Sequence, residues 1–155
     1  MRAFRLSPKA HQTTAFSGEG ARLAGGRWNH KGQRMVYCSE SRALAALEYF
    51  VNLDLALGPP RLVFIQVQVP DGLIAELDMS VLPADWRTYP APDSVKDIGS
   101  SWIERAESAA LLVPSTVMPE ERNLLLNPEH EDFRRIEIAK PRAFAFDARM
   151  WTGRR

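Results

Sequence analysis

The sequence has one cysteine, few histidines, almost no net charge and no long apolar run, and each shortage excludes a class of protein. Cys38 is the only cysteine in 155 residues, so the chain forms no internal disulfide and no multi-cysteine zinc site. The histidines, His11, His30 and His130, are too far apart for a zinc-binding spacing, so no metal is expected. A formal net charge of +1 is too small to attract nucleic acid or an anionic membrane.

Long hydrophobic segments are also absent. No window approaches the roughly 18 apolar residues of a transmembrane helix. The N-terminal "MRAFRLSPKAHQTT" has no apolar stretch long enough for a signal peptide. The single cysteine fits a reducing compartment. The sequence therefore predicts a cytoplasmic protein without a membrane partner, and its length predicts a single domain spanning 1–155.

The pattern of apolar residues predicts a mixed α+β fold with largely antiparallel sheets, because strands come in clusters rather than in strict alternation with helices. The clearest helix is 39–53, which Ser39 or Ser41 can cap. A second helix is predicted at 93–107. The predicted strands are 2–6, 34–39, 61–69, 72–78 and 109–115, with two further strand-like runs in 133–147.

The stretch "GGRWNHKGQRMVYCS" (25–39) places flexible backbone, a fixed cation and an aromatic ring close together. Its glycines, with Gly18 and Gly20 upstream, suggest a phosphate-binding loop. The dinucleotide fingerprint does not fit, and Gly26 and Arg27 stand where a P-loop has lysine and Ser/Thr. The stretch therefore matches no standard nucleotide motif.

Glu48 is unusual because of its position on the predicted helix. Leu44, Leu47, Val51 and Leu55 fall on one side of that helix and predict its core-facing stripe. Glu48 projects inside or at the edge of this stripe, where an unpaired carboxylate is costly to bury. Two interpretations remain open. Glu48 is either a structural group, paired with a cation or reaching water, or a functional carboxylate.

Ser115 and Asn123 are two further candidate residues. Ser115 follows the apolar run "AALLVP" without a G-x-S-x-G elbow, which argues against a serine hydrolase. It is either a turn or capping residue, or a small polar group placed at a strand end to meet a ligand. The turn signal Asn127-Pro128 does not account for Asn123.

Arg27, Glu48 and Ser115 together carry a family resemblance. The chain resembles the RES-domain toxins of RES–Xre toxin–antitoxin modules, a family named for an arginine, a glutamate and a serine. The most specific part is G-x-R-W-N, a glycine turn, V-Y-x-S, and then A-L-x-E in the next helix. The family's tyrosine falls on Tyr37, and the asparagine of its downstream motif falls on Asn123. The other matching segments are "LLVPSTV", "ERNLLLNPEH" and "FAFDARMW".

The resemblance implies a fold similar to that of ADP-ribosyltransferase toxins, with two small, mainly antiparallel sheets forming a cleft for NAD+, flanked by helices. It also implies cleavage of the nicotinamide–ribose bond of NAD+, which is a substrate here, without a metal. Depletion of NAD+ or ADP-ribosylation of a cellular protein would then cause toxicity. An Xre-like antitoxin that blocks the cleft is the implied partner, in a hetero-oligomeric complex.

The residues fit this chemistry. Glu48 can stabilise the positive ring carbon of an oxocarbenium-like transition state, and Arg27 can grip the pyrophosphate through two donors. Tyr37 offers a flat face to the nicotinamide ring. Ser115 or Asn123 can orient the nicotinamide amide or the adjoining ribose. The resemblance thus makes Glu48, Arg27 and Ser115 the catalytic candidates, and Arg27, Tyr37, Ser115 and Asn123 the NAD-binding ones.

Two alternatives stay open. Transfer of ADP-ribose to a protein, rather than to water or phosphate, is not distinguished by the sequence. A non-catalytic binding module, for example for nucleic acid through Arg2, Arg5, Lys9, Arg22 and Arg27, is a different class. The near-neutral charge and the acidic residues at 129, 131 and 132 argue against that second alternative.

Overall fold

The computed structural model describes residues 1–151, so the last part of the predicted domain 1–155, residues 152–155, lies outside the described residues. The helices are α1 (Glu19–Ala24), α2 (Arg42–Phe50) and α3 (Asp93–Arg105). The strands are β1 (Arg2–Pro8), β2 (Val36–Ser39), β3 (Leu62–Gln68), β4 (Ile74–Glu76), β5 (Ala110–Pro114), β6 (Arg122–Leu126), β7 (Glu137–Ile138) and β8 (Arg142–Phe144). This is the α+β mixture that the sequence predicts.

The strands form one sheet whose two halves meet at a narrow junction. The strand order is β4–β5–β6–β2–β1–β3–β7, with β8 also paired to β3, and only the β4–β5 pair is parallel. β1 and β2 pair at one position, Phe4 with Ser39, whereas β1 pairs with β3 along its whole length. The two small sheets that the resemblance implies are therefore the two halves of this sheet.

Arg5 links the two halves where β1 and β2 separate. Its Nη1 donates to the main-chain carbonyl of Tyr37 on β2, with an N···O distance of 2.9 Å. Burial lowers the pKa of the Arg5 guanidinium. A buried carbonyl without a donor is destabilising by about 1–3 kcal/mol. Arg5 thus donates to the Tyr37 carbonyl where no main-chain amide of β1 does so.

Apolar side chains pack on both faces of the sheet, because successive side chains of a strand point to opposite faces. Leu124 and Leu126 of β6 belong to a cluster that includes Val36 of β2. Leu125 belongs to a second cluster, which includes Trp28. All three leucines are fully buried. The leucine triplet therefore fills two cores from a single strand.

Helix α3 holds the segment that carries Arg27. Gly99 of α3 faces the main chain of Trp28 so closely that a Cβ atom there would collide with the Trp28 carbonyl. One residue further along the helix, Ser100 Oγ accepts a hydrogen bond from the His30 amide at 3.2 Å. The backbone that directly follows Arg27 is therefore fixed against a helix from a distant part of the sequence.

Among the α-helices and strands of residues 1–151, the sequence analysis did not predict α1 and β6. A glycine-rich stretch shows no helical periodicity, and a leucine triplet shows no period-two alternation, so neither gave a signal. The predicted helix 39–53 is shorter in the structure, as α2. Ser41 rather than Ser39 caps it, because Ser41 Oγ accepts from the Leu44 amide at 3.0 Å.

Candidate active site

Three of the predicted site residues meet at one carboxylate. Glu48 lies on α2, Ser115 directly follows β5, and Asn123 lies on β6. Glu48 Oε1 accepts hydrogen bonds from Ser115 Oγ at 2.7 Å and from Asn123 Nδ2 at 2.6 Å. No donor among residues 1–151 is bonded to Oε2. One carboxylate oxygen is therefore held by two neutral donors, and the other is left for a different group.

Ser115 combines the two roles that the sequence left open. Its hydroxyl oxygen accepts hydrogen bonds from the amides of Val117 and Met118, at 3.1 and 3.0 Å. This is the turn-capping role. The same hydroxyl donates its proton to Glu48, and the side chain is fully buried. Capping fixes the oxygen, so the Ser115 proton points at the carboxylate.

The predicted core-facing stripe of the helix is wrong. Only Leu44 and Ala45 of α2 are buried, whereas Leu47, Val51 and Leu55 are 38%, 58% and 53% exposed. The helix ends at Phe50, so Val51 and Leu55 lie beyond it and do not continue its periodicity. Apolar side chains that the sequence assigned to the core therefore lie on the surface.

Glu48 has no ion-pair partner in the described part of the chain. No Lys, Arg or His nitrogen of residues 1–151 pairs with its carboxylate. The half-buried carboxylate is held by neutral donors instead. This arrangement does not support the interpretation of Glu48 as half of a structural ion pair.

Arg27 lies close enough to Glu48 for the two charges to interact, but its hydrogen bonds go to main-chain carbonyls. Its Nη1 donates to the carbonyl of Trp86 at 2.8 Å, and its Nη2 donates to the carbonyl of Thr88 at 3.0 Å. Burial lowers the pKa of the Arg27 guanidinium, and the nearby Glu48 carboxylate acts in the opposite direction. The guanidinium has further N–H groups besides the two that are used. It is therefore oriented by backbone carbonyls while it keeps donors for another ligand.

Tyr37 anchors the turn that presents Arg27. Its hydroxyl donates to Asn29 Oδ1 at 2.6 Å and accepts from the Trp28 amide at 3.1 Å. Burial raises the pKa of this hydroxyl, so it stays protonated and able to donate. A Cβ atom at Gly26 would collide with the Tyr37 hydroxyl, which explains the second glycine of the stretch. The tyrosine hydroxyl thus has a structural role that the sequence did not predict.

Asn29 is a residue that the sequence analysis quoted without giving it a role. It is fully buried, and its Nδ2 donates to the carbonyls of Ala21, His30 and Gln33, at 2.9, 2.9 and 3.3 Å. Together with the bond from Tyr37, one amide closes the whole loop between α1 and β2. The signal in the sequence was the asparagine of G-x-R-W-N, which is too polar for an ordinary buried position.

We expect Tyr37→Phe to lower the stability of the fold, whereas the contact between the aromatic ring and substrate should be kept. The variant keeps the aromatic face but leaves the Trp28 amide and Asn29 Oδ1 without their partner. The free energy of unfolding should fall by about 1–3 kcal/mol. Denaturant unfolding measures this, with Tyr89→Phe as the control, because Tyr89 is 86% exposed. Equal stability of the two variants would contradict an anchoring role.

Two structural absences apply to the described residues only. Among residues 1–151, no helix has the length and apolarity that crossing a membrane requires. In the same residues, no three His, Cys, Asp or Glu side chains are grouped so that they could hold a metal ion.

The fold and the site together define a small α+β protein in which a carboxylate, fixed by a serine and an asparagine, lies near an oriented arginine. The RES domain family matches this chain over residues 2–147. The chain belongs to the RES-domain family, which confirms the resemblance seen in the sequence.

Several similar proteins are toxins. "Toxin Res" of Yersinia enterocolitica is 38% identical over 151 residues, covering 97% of this chain and 99% of that protein. "Prs ADP-ribosylating toxin" of a Sphingobium species is 39% identical over 145 residues, covering 92% and 90%. The structure is also similar to a chain in the crystal structure of the M. tuberculosis MbcT–MbcA toxin–antitoxin complex. The TM-score is 0.68 at 17% identity, with 97% of this chain and 86% of that chain covered, which supports the fold.

Proposed function

We propose that this chain is the toxin of a toxin–antitoxin system and that it cleaves the nicotinamide–ribose bond of NAD+. The observation that carries the proposal is the state of Glu48. Ser115 and Asn123 hold one of its oxygens, and within residues 1–151 the carboxylate forms no ion pair and Oε2 accepts no hydrogen bond. The toxin relatives at 38% and 39% identity support it. We further propose that residues 1–155 act as one cytoplasmic domain.

In the proposed reaction, the bond between the ribose carbon and the pyridine nitrogen breaks. The electron pair stays on nitrogen, so nicotinamide leaves as a neutral molecule and needs no general acid. The ribose carbon becomes positive in an oxocarbenium-like transition state. Glu48 Oε2 stabilises that positive charge. The acceptor then bonds to the carbon through a lone pair and loses its proton to solvent.

The other site residues bind and orient in this proposal. Arg27 uses the guanidinium donors left over from the two backbone carbonyls to bind the pyrophosphate. The ring of Tyr37 contacts nicotinamide, while its hydroxyl holds the arginine turn. Ser115 and Asn123 both donate to Glu48, so they fix the carboxylate besides any contact with the nicotinamide amide or the ribose.

The acceptor is water, phosphate or a protein side chain. The Sphingobium relative, named for ADP-ribosylation of Prs, favours a protein acceptor as the second candidate function. Incubation of the purified chain with NAD+, with and without phosphate and with cell lysate, separates these possibilities when the products are resolved by mass. Free ADP-ribose indicates water, its phosphate ester indicates phosphate, and a labelled protein indicates transfer. NAD+ that stays intact in every arm would overturn the proposal.

We propose an Xre-like antitoxin as the partner, in a hetero-oligomeric complex that blocks the site. Exposed apolar side chains near Glu48 in the sequence support a protein partner there, because exposed apolar groups near a polar site are typical of an interface. These side chains are Leu47, Val51, Leu55 and Leu57, and Leu57 is 84% exposed.

We expect Val51→Glu to keep toxicity and to escape neutralisation. A carboxylate placed in an apolar interface remains unpaired, so antitoxin binding weakens while the site itself is unchanged. Growth arrest on expression of the variant alone, and its persistence when an Xre-like antitoxin is co-expressed, measure both effects. Leu23→Glu is the matched control, because Leu23 is a similarly exposed apolar residue on α1. Neutralisation of both variants alike would show that the antitoxin does not cover this surface.

The structure also bears on the nucleic-acid alternative. Of its proposed cations, Arg5 donates to a main-chain carbonyl of the sheet, Arg22 pairs with Glu19, and Arg27 bonds two carbonyls. We therefore propose no direct contact with nucleic acid. A salt titration of oligonucleotide binding tests this, since phosphate contacts weaken steeply with salt.

A further inference from the structure

Ser39 lies at the centre of the sheet, beside the candidate site. Its backbone pairs with Phe4 of β1 on one side and with Asn123 of β6 on the other. The side chain is only 3% exposed. Its hydroxyl donates to Asn123 Oδ1 at 2.7 Å. The hydroxyl therefore touches the same amide whose nitrogen donates to Glu48.

The bond from Ser39 determines which end of the Asn123 amide faces Glu48. An asparagine amide presents a carbonyl oxygen at one end and an NH2 group at the other. Ser39 occupies the oxygen end, so the NH2 end meets Glu48 Oε1 at 2.6 Å. A flipped amide would place its carbonyl oxygen against the carboxylate oxygen, and the two would repel each other.

We propose that Ser39 is a positioning residue, which acts through Asn123 to fix the carboxylate of Glu48. The hydrogen bond from Ser39 orients the Asn123 amide, and the oriented amide then donates to Glu48. Ser115 completes the arrangement on the same oxygen, so Glu48 presents Oε2 to the ribose. The effect on catalysis rests on the proposed function, whereas the orientation of the amide does not.

A double-mutant cycle on NAD+ cleavage tests the catalytic consequence. Ser39→Ala removes the donor to Asn123 but touches no substrate, so kcat per folded molecule should fall about three- to tenfold with KM nearly unchanged. Asn123→Ala should lower kcat at least as much. If Ser39 acts through Asn123, the double variant should match Asn123→Ala alone, because the path is already broken. Equal and additive losses would overturn the proposal.

The matched control is Ser7→Ala. Ser7 is also a buried serine of the sheet, 2% exposed, and its hydroxyl makes only a 3.4 Å contact with the Pro8 carbonyl. Its kcat should equal that of the parent. Ser39→Cys serves where the alanine variant folds poorly, because the thiol fills the space but is a weak donor. It should show the same loss of kcat, and a parental kcat would count against the proposal.

The side-chain NH2 signals of Asn123 provide a test that needs no activity. We expect these protons, assigned by their loss in Asn123→Ala, to exchange slowly with solvent in the parent. Ser39→Ala should shift them and speed their exchange, whereas Ser7→Ala should not. Unchanged signals in Ser39→Ala would overturn the positioning role. A parent that does not cleave NAD+ would refute the proposed function, while this measurement would still decide whether Ser39 orients the amide.

Discussion

Glu48→Gln should fold normally and lose most of its NAD+ turnover, by on the order of 100-fold or more. Glutamine keeps an oxygen that can accept the hydrogen bonds from Ser115 and Asn123, so the local structure should persist. In the proposed reaction, it removes the negative charge that faces the developing positive charge on the ribose. Because this charge appears mainly in the transition state, substrate affinity should fall less than turnover.

The interpretation of Glu48 as a structural group predicts the opposite pattern. If Glu48 were paired with a cation, removal of the Glu48 charge would leave that cation unpaired. The free energy of unfolding would then fall by about 3–5 kcal/mol for a fully buried pair. The structure shows no such pair within residues 1–151, since the partners of Glu48 are neutral. Melting temperature and rate per folded molecule, measured on the same variant, separate the two interpretations.

Glu121→Gln is the matched control for this experiment. Glu121 also accepts a hydrogen bond from a serine hydroxyl, that of Ser41, at 3.1 Å. Its replacement should leave turnover at the parental rate. A Glu48→Gln protein that melts early but cleaves NAD+ at the parental rate would refute the catalytic role. So would equal losses of turnover in the two variants.

Arg27→Lys should weaken NAD+ binding by roughly 1–3 kcal/mol. Lysine keeps the charge but loses the planar fork that grips two phosphate oxygens. The same change removes the paired bonds to the carbonyls of Trp86 and Thr88, so it should also lower the free energy of unfolding by about 1–2 kcal/mol. Affinity must therefore be measured per folded molecule, by titration at a temperature well below the melting transition.

Arg22→Lys is the control for Arg27→Lys, because it makes the same chemical change in an arginine that pairs with Glu19 on α1. This variant should bind NAD+ as the parent does. The difference between the two variants isolates the part that Arg27 plays in binding. A loss of stability in Arg27→Lys with NAD+ affinity intact would show that the arginine only fastens the segment around Trp86 and Thr88.

The amino-acid sequence alone determined the family, the α+β class and the identity of the principal candidate residues. The motif around Arg27 and Tyr37 is local, and most strands and helices carry a local pattern of apolar residues. The two strand-like runs predicted within 133–147 are present as the short strands β7 and β8. These features depend on near neighbours in the chain, so they can be inferred without coordinates.

Tertiary structure decided which residues meet. Glu48 contacts Ser115 and Asn123 across 67 and 75 positions of sequence, through a strand order in which β6 lies between β5 and β2. No local pattern specifies that order. Periodicity likewise placed Leu47, Val51 and Leu55 in the core, whereas the early end of α2 leaves them exposed. Ser39 gained a role only once the sheet set it opposite Asn123. The sequence determines which side chains are present, but hydrogen bonds between residues distant in the sequence form only after the strands have paired.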